Sequence, residues 1–201
     1  MECAKKLNVI MNNLLTEVKD VEFSIMAIGD LAYDSAPIQM SQFESDVRIA
    51  EHLDKVYFEG GGGGNCYESY SLAWYCGLNH AQLDCWKRGK KDIIITLGDE
   101  PLNPRLYKDE LKKYCGDDIQ SDVDTTKLYK QAIEKYDIYH IIIKDGWGYK
   151  RYSFQSWKDL LPEDHIIETE VKSLDQIIPS IIKKSVEDNT IPEFPSDVIS
   201  W

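Results

Sequence analysis

The chain has 201 residues, of which 43% are hydrophobic and 29% charged, and its net charge is −12. This size and balance are typical of one folded domain with its own core, while the acidic charge argues against a nucleic-acid partner, which needs a basic surface. No apolar run of about 18 residues predicts a membrane span, and the N-terminus lacks the apolar core of a secretory signal.

Strands alternate with helices along the chain, beginning with an amphipathic helix over residues 2–19. Apolar runs predict buried strands at 21–28, 92–97, 138–144 and 165–168, and the alternating residues 37–43 predict an edge strand. Helices are predicted at 47–57, 67–78, 106–114, 126–136, 157–161 and 174–186. The alternation indicates a mostly parallel α/β sheet with right-handed crossovers. One domain is predicted over residues 1–190, followed by a tail at 191–201.

Acidic residues follow two of the predicted strands. Asp99 and Glu100 come just past the strand at 92–97, where open α/β sheets bind ligands. Asp30 and Asp34 follow the strand at 21–28. If the two strands lie near each other, four carboxylates approach one edge, and a cation such as magnesium or calcium would offset their charge. The alternative is that Asp30 and Asp34 are solvated turn residues.

Five consecutive glycines, Gly60–Gly64, precede the helix predicted at 67–78. We expect Asn65 to cap that helix and Glu68 to complete a capping box. The amides of such a helix start attract anions, so a nucleotide- or phosphate-binding enzyme that uses the Gly60–Asn65 loop is an alternative function. The loop lacks the lysine and Ser/Thr pair of a P-loop, and a flexible turn explains the glycines equally well.

Histidine and cysteine give little support for catalysis. His140 lies inside an apolar strand, which favours a core histidine over a general base. Cys76 and His80 are four residues apart, with Cys85 nearby, so a zinc site is an alternative to buried free cysteines. Because the five cysteines show no CxxC spacing, we expect a reducing, cytoplasmic location rather than a disulfide framework.

Three stretches of the chain stand in a familiar order: VEFSIMAIGDLAYDSAP at 21–37, EGGGGGNCYESYSLA at 59–73 and IIITLGDEPLNP at 93–104. They resemble the second strand with its acidic loop, the glycine-rich turn and the fourth strand of the von Willebrand factor type A (VWA) domain, in its intracellular bacterial form. The resemblance covers residues 2–186. It implies a three-layer, Rossmann-like, doubly wound sheet that is mostly parallel with one antiparallel edge strand.

In the VWA family a divalent cation such as Mg²⁺ lies at the carboxyl edge of the sheet, in the metal-ion-dependent adhesion site (MIDAS), and a protein partner's carboxylate completes its coordination. The resemblance implies that Asp99 is a metal ligand, that Asn65 supplies a carbonyl oxygen and that Asp30 contributes through water. The edge that would face the partner or ligand comprises Gly64, Glu68, Ser69, Asp34 and Glu100. Because Gly64 stands where the family has a threonine, the resemblance implies that this non-enzymatic, protein-binding site is incomplete, and we expect its cation binding to be weak or absent.

The family's first strand and its DxSxS motif have no counterpart in the chain. Met1 already stands at the start of the first helix, so the resemblance implies a sheet whose central strand is not among these residues. Such a sheet would expose unpaired strand edges and an apolar slot. One explanation is that an upstream segment encodes the strand. The other is a reduced domain in which a second copy or a rearranged strand fills the slot. A third function is a structural subunit that uses the aromatic residues 147–157 as a contact patch.

Overall fold

The computed structural model describes residues 2–19, 21–59, 64–146 and 151–188, and these form a mixed α/β fold. The helices are α1 (Glu2–Glu17), α2 (Arg48–Asp54), α3 (Ser71–His80), α4 (Asp84–Lys87), α5 (Lys108–Cys115), α6 (Thr125–Ala132), α7 (Arg151–Lys158) and α8 (Leu174–Asp188). The strands are β1 (Met26–Ile28), β2 (Ile38–Met40), β3 (Asp92–Gly98), β4 (Arg105–Leu106), β5 (Val123–Asp124), β6 (Tyr136–Ile143) and β7 (Ile166–Thr169). The α/β class predicted from the alternating pattern is confirmed.

A three-stranded parallel sheet forms the centre of the fold, in the order β3-β6-β7. In its register Asp92 lies opposite Tyr136 and His140 lies opposite Ile166. A separate hairpin pairs β1 with β2 antiparallel, and Ala27 lies opposite Gln39. The short pair β4–β5 and helix α4 have no counterpart among the predicted elements, because two- to four-residue elements give no readable periodicity.

Helices cover both faces of the parallel sheet because its strands are apolar on both sides. On one face Tyr136, Ile138 and Ile142 of β6 pack in a cluster with residues of α3, α6 and α7. On the other face Tyr139 and Ile141 pack with residues of α1 and α8. Strand β6 is therefore buried along almost its whole length.

A cavity of about 500 Å³ separates the hairpin from the parallel sheet. Consecutive residues of β1 and of β3 line it, and the two strands belong to different sheets. We call this cavity the slot. Strand β3, unlike β6, is only half-buried at most of its apolar positions, because the slot leaves one of its edges open.

The structure corrects the expected start of helix α3. The helix begins at Ser71 rather than at residue 67, and its N-cap residue, Tyr70, makes no side-chain capping bond. Asn65 instead accepts a hydrogen bond from the Tyr67 N–H at 2.8 Å. The reason is that Glu68 pairs with the segment at Leu102 as an isolated β-bridge, and this pairing keeps residue 68 extended. The capping box expected from Asn65 and Glu68 is therefore wrong.

Candidate functional site

Four carboxylates gather where β1 and β3 end, and we call them the acidic cluster: Asp30, Asp34, Glu68 and Glu100. The pKa of Glu68 reflects how close the other three carboxylates are to it. Burial, and after it the charges of Asp34, Asp30 and Glu100, together raise the pKa of Glu68 to about 7. Near neutral pH the cluster therefore holds a carboxyl group that keeps its proton about half of the time.

The turn after β1 fixes two members of the cluster. The Asp34 carboxylate accepts a hydrogen bond from the Asp30 N–H at 2.8 Å, and Asp30 Oδ1 accepts one from the Ala32 N–H at 2.9 Å. Gly29 allows this turn, because a side chain there would collide with Asp34 Oδ2. The arrangement presents the carboxylates of Asp30 and Asp34 together at the end of the strand.

Backbone pairing holds Glu68 beside this turn. The Glu68 N–H donates to the Pro101 carbonyl at 3.1 Å, on the segment that follows β3. The next residue, Ser69, accepts a hydrogen bond from the Leu31 N–H at 2.9 Å through its Oγ. Ser69 is buried, so it joins the turn after β1 to the segment before α3 and serves as a positioning residue rather than an exposed contact.

Among the buried oxygens of the acidic cluster, Oε1 of Glu68 and Oδ2 of Asp30 have no hydrogen-bond partner among the described residues. Asp30 as a whole is only 6% exposed. A buried carboxylate oxygen without a donor is costly. Within the described parts of the chain, these two oxygens therefore lack a hydrogen-bond donor.

Asp99 makes its close contact outside the cluster, although burial, and after it the charges of Glu68, Asp99 and Glu100, raise the pKa of Tyr70. Its carboxylate packs against Gly146, in the turn after β6, where a side chain on the glycine would collide with it. Glu100, the next residue, instead belongs to the group that acts on Glu68. The structure therefore groups Glu100 with Asp30 and Asp34 and directs Asp99 towards the neighbouring strand.

The residues expected from the glycine-rich turn lie at the surface. Asn65 is exposed and uses its side-chain oxygen for the local turn described above. Gly64 lies against the Tyr33 ring, which a side chain at that position would meet. Residues 60–63 lie outside the described parts of the chain, and with them most of the expected anion cradle. Within the described parts, no group of three or more His, Cys, Asp and Glu side chains is arranged to hold a metal ion.

Asn103 is a positioning residue that the sequence reasoning missed. Its Oδ1 accepts from the Ser71 N–H at 3.1 Å, and its Nδ2 donates to Ser71 Oγ at 2.7 Å. It thereby caps α3 from outside the helix. A partner 32 positions away in the chain leaves no local signal, so only its place in the loop after β3 could have suggested the role.

His140 is the core histidine that its apolar strand predicted. It is fully buried, its Nδ1 lies 2.8 Å from Thr96 Oγ1, and its ring stacks on Trp157 at 3.5 Å. Burial holds the pKa of His140 well below its ordinary value, so the ring is neutral at physiological pH. Trp157 is buried as well, which places that part of the aromatic segment 147–157 in the core; residues 147–150 lie outside the described parts.

Cys76 and His80 have partners other than a metal. The His80 Nε2 lies 2.7 Å from an Asp117 carboxylate oxygen. A hydrogen bond to Cys115, together with burial, raises the pKa of the Cys76 thiol. The cysteines Cys66, Cys76, Cys85 and Cys115 are free thiols.

Comparison of the chain with protein-family models, with curated proteins and with solved structures gives no match. Among the described residues, no helix combines the length and apolar character needed to cross a membrane.

Proposed function

We propose that the protein is a non-enzymatic protein-interaction domain of the VWA type with an incomplete MIDAS. In this proposal the acidic cluster at the carboxyl edge binds positive charge, supplied by a divalent cation such as Mg²⁺ or by a basic side chain of a protein partner. The proposed setting is the cytoplasm. The observation that carries the proposal is the pKa of Glu68, raised to about 7 by burial and by three neighbouring carboxylates.

A positive charge would offset the repulsion among the carboxylates of the acidic cluster more fully than water does. An ion or ammonium group near Glu68 would favour its ionised form and replace the proton that Glu68 retains. It would also satisfy the oxygens of Asp30 and Glu68 that have no donor among the described residues. Oxygen-rich, carboxylate-bearing sites suit Mg²⁺ and Mn²⁺ in particular.

The arrangement of strands supports the finer, doubly wound reading of the fold. The parallel order β3-β6-β7 and the antiparallel hairpin β1–β2 correspond to the two outer parts of the sheet that the resemblance implies. In such sheets the carboxyl edge is the usual ligand position, and the acidic cluster lies there. A non-enzymatic role fits the burial of His140, which keeps this neutral imidazole out of reach of a substrate.

A peptide-display selection on the immobilised protein tests the proposal. We expect the selection in Mg²⁺ to enrich carboxylate-bearing peptides that EDTA releases, if a cation fills the cluster. The selection in EDTA should enrich lysine- or arginine-bearing peptides, if the partner supplies the charge. Glu68→Gln should weaken either class at least about tenfold, which corresponds to about 1.4 kcal/mol, whereas the exposed Glu51→Gln should not. Enriched peptides that bind both variants equally, or no enrichment, would contradict the proposal.

A further inference from the structure

The slot between β1 and β3 has two open strand edges that face it. The Asp92 N–H donates to the Lys135 carbonyl, next to β6. Because backbone groups alternate along a strand, Ile93, Ile95 and Leu97 direct their backbone N–H and C=O groups away from β6, and the Ile93 N–H donates to the Asp92 carboxylate at 2.8 Å. On the side that faces the slot, β3 has no strand partner among the described residues.

Strand β1 is open in the same way. The Ile25 carbonyl accepts from the Ser41 N–H and the Gly29 N–H donates to the Pro37 carbonyl, both towards β2. The alternate residues Met26 and Ile28 therefore direct their backbone groups away from β2. Both Met26 and Ile28 line the slot, so it has backbone donors and acceptors on two sides.

The two edges run in the same direction. At one end, burial and then the charge of Glu22, before β1, raise the pKa of Asp92, the first residue of β3. At the other end, the charges of Asp30, after β1, and of Glu100, after β3, both raise the pKa of Glu68. A strand placed between β1 and β3 would therefore meet two parallel neighbours and would end at the acidic cluster.

The lining of the slot suits one apolar strand. Helix α3 contacts both β1 and β3, and a strand that paired with both would hold them about 9–10 Å apart. On the side of α3 the slot is lined by Tyr70, Ala73 and Gly77, and Leu7 of α1 also lines it.

We propose that the slot binds a β-strand of a partner polypeptide, with an apolar middle and a lysine or arginine at the end that reaches the acidic cluster. The strand completes the sheet by pairing with β1 and β3 at once. The basic residue takes the position of the cation beside Glu68. This inference rests on the proposed function for the charge of the partner, whereas the strand pairing depends on the slot alone.

The chain's own residues 189–201 fit the slot less well. They contain Glu193 and Asp197 but no lysine or arginine, and Pro192 and Pro195 interrupt them. Proline removes a backbone donor and is found at sheet edges rather than in central strands. The charge at the end of the slot and the two open edges therefore favour a partner over the tail.

Synthetic peptides test the proposal without altering the protein. The probe has six alternating valine and leucine residues between paired lysines, is acetylated and amidated, and is titrated in EDTA by fluorescence anisotropy. Two control peptides carry N-methyl groups on alternate residues, one set for each edge, and a third has glutamates in place of the lysines. We expect saturable binding of the probe, at least tenfold weaker binding of each control, and hydrogen-exchange protection of Met26, Ile28, Ile95 and Leu97.

Several outcomes would overturn the strand proposal. They are no saturable binding at millimolar peptide, equal binding of the N-methylated peptides, or protection of other strands instead. If the tail fills the slot, the four amides are already protected in the free chain and lose protection when the chain is shortened to end at Asp188. If a second copy fills it, protection rises with protein concentration. If the probe peptide does not bind but the display selection yields peptides whose binding Glu68→Gln weakens, the strand proposal fails and the proposed function stands.

Discussion

Gly29 and Asp34 are in close contact at the end of β1, where the Asp34 carboxylate occupies the space that a side chain on residue 29 would need. The same carboxylate accepts the hydrogen bond from the Asp30 N–H. Gly29→Ala should therefore displace Asp34 and destabilise the protein by about 2 kcal/mol, through the lost hydrogen bond and local rearrangement. Urea unfolding followed by circular dichroism measures the change.

A double-mutant cycle isolates this contact. In an Asp34→Ala background the colliding oxygen is absent, so Gly29→Ala should cost at least about 1 kcal/mol less than in the wild-type chain. Additive effects of the two substitutions would show that residues 29 and 34 do not interact in this way.

The ionisation of Glu68 predicts a pH-dependent gain in stability for Glu68→Gln. Its folded-state pKa, about 7, lies above the ordinary value of 4.5. The proton on Glu68 therefore stabilises the fold fully below pH 4.5, and this contribution is lost as the pH rises through about 7. At pH 8.5 Glu68→Gln should be more stable than wild type by about 1–2 kcal/mol, a value reduced for the partial exposure of Glu68.

Unfolding in urea at pH 4.5 and 8.5 checks this prediction. At pH 4.5 the two proteins should be equally stable, because Glu68 is then protonated and resembles glutamine. Glu51→Gln, at an exposed carboxylate on α2, serves as the control and should change little at either pH. A stability difference for Glu68→Gln that does not depend on pH would contradict the assignment.

Thr96 is expected to be needed for the stability of the core around His140. The Thr96 hydroxyl lies 2.8 Å from His140 Nδ1 and donates to the Tyr139 carbonyl at 3.2 Å. Thr96→Val keeps the shape but removes the hydroxyl, so it should destabilise the fold by about 1–3 kcal/mol. Thr96→Ser, which keeps the hydroxyl, should cost about 1 kcal/mol or less; equal losses for the two variants in urea unfolding would count against the hydrogen bond.

Thiol reactivity should separate Cys66 from Cys76. Cys66 is exposed, whereas Cys76 is buried and has a raised pKa. Since the thiolate is the reactive form, iodoacetamide at pH 8 should modify Cys66 at least about 100-fold faster than Cys76. Mass spectrometry of proteolytic peptides over time measures both rates, and in urea they should converge. Similar rates in the folded protein would contradict the burial of Cys76.

The sequence predicts those parts of the fold whose signals are local and long. The apolar run at 138–144 became β6 (Tyr136–Ile143) and the amphipathic stretch at 2–19 became α1 (Glu2–Glu17). The start of α3 could not be predicted, because the pairing of Glu68 with Leu102 is a long-range contact that overrides a local capping pattern. The direction of Asp99 is likewise set by Gly146, which follows another strand.

The sequence indicates the position of the acidic residues but not their electrostatics. Acidic residues after two strands predict that Asp30, Asp34 and Glu100 approach one edge, and the resemblance adds Glu68 to that edge; in the structure the charges of Asp30, Asp34 and Glu100 act on Glu68. The β-bridge between Glu68 and Leu102 keeps Glu68 extended there, whereas the expected capping box would have made it part of the helix. The elevated pKa of Glu68 arises from burial and from three other segments of the chain, so it cannot be read from its neighbours in sequence.

The division of the sheet also has a mechanical consequence. Among the described residues, the hairpin and the parallel sheet share no strand pairing, and helix α3 contacts strands of both. Packed side chains permit small sliding movements that a continuous hydrogen-bonded ladder resists. The fit of α3 against the parallel sheet depends on a small residue at Gly77, because a side chain there would meet Tyr136 and Ile94.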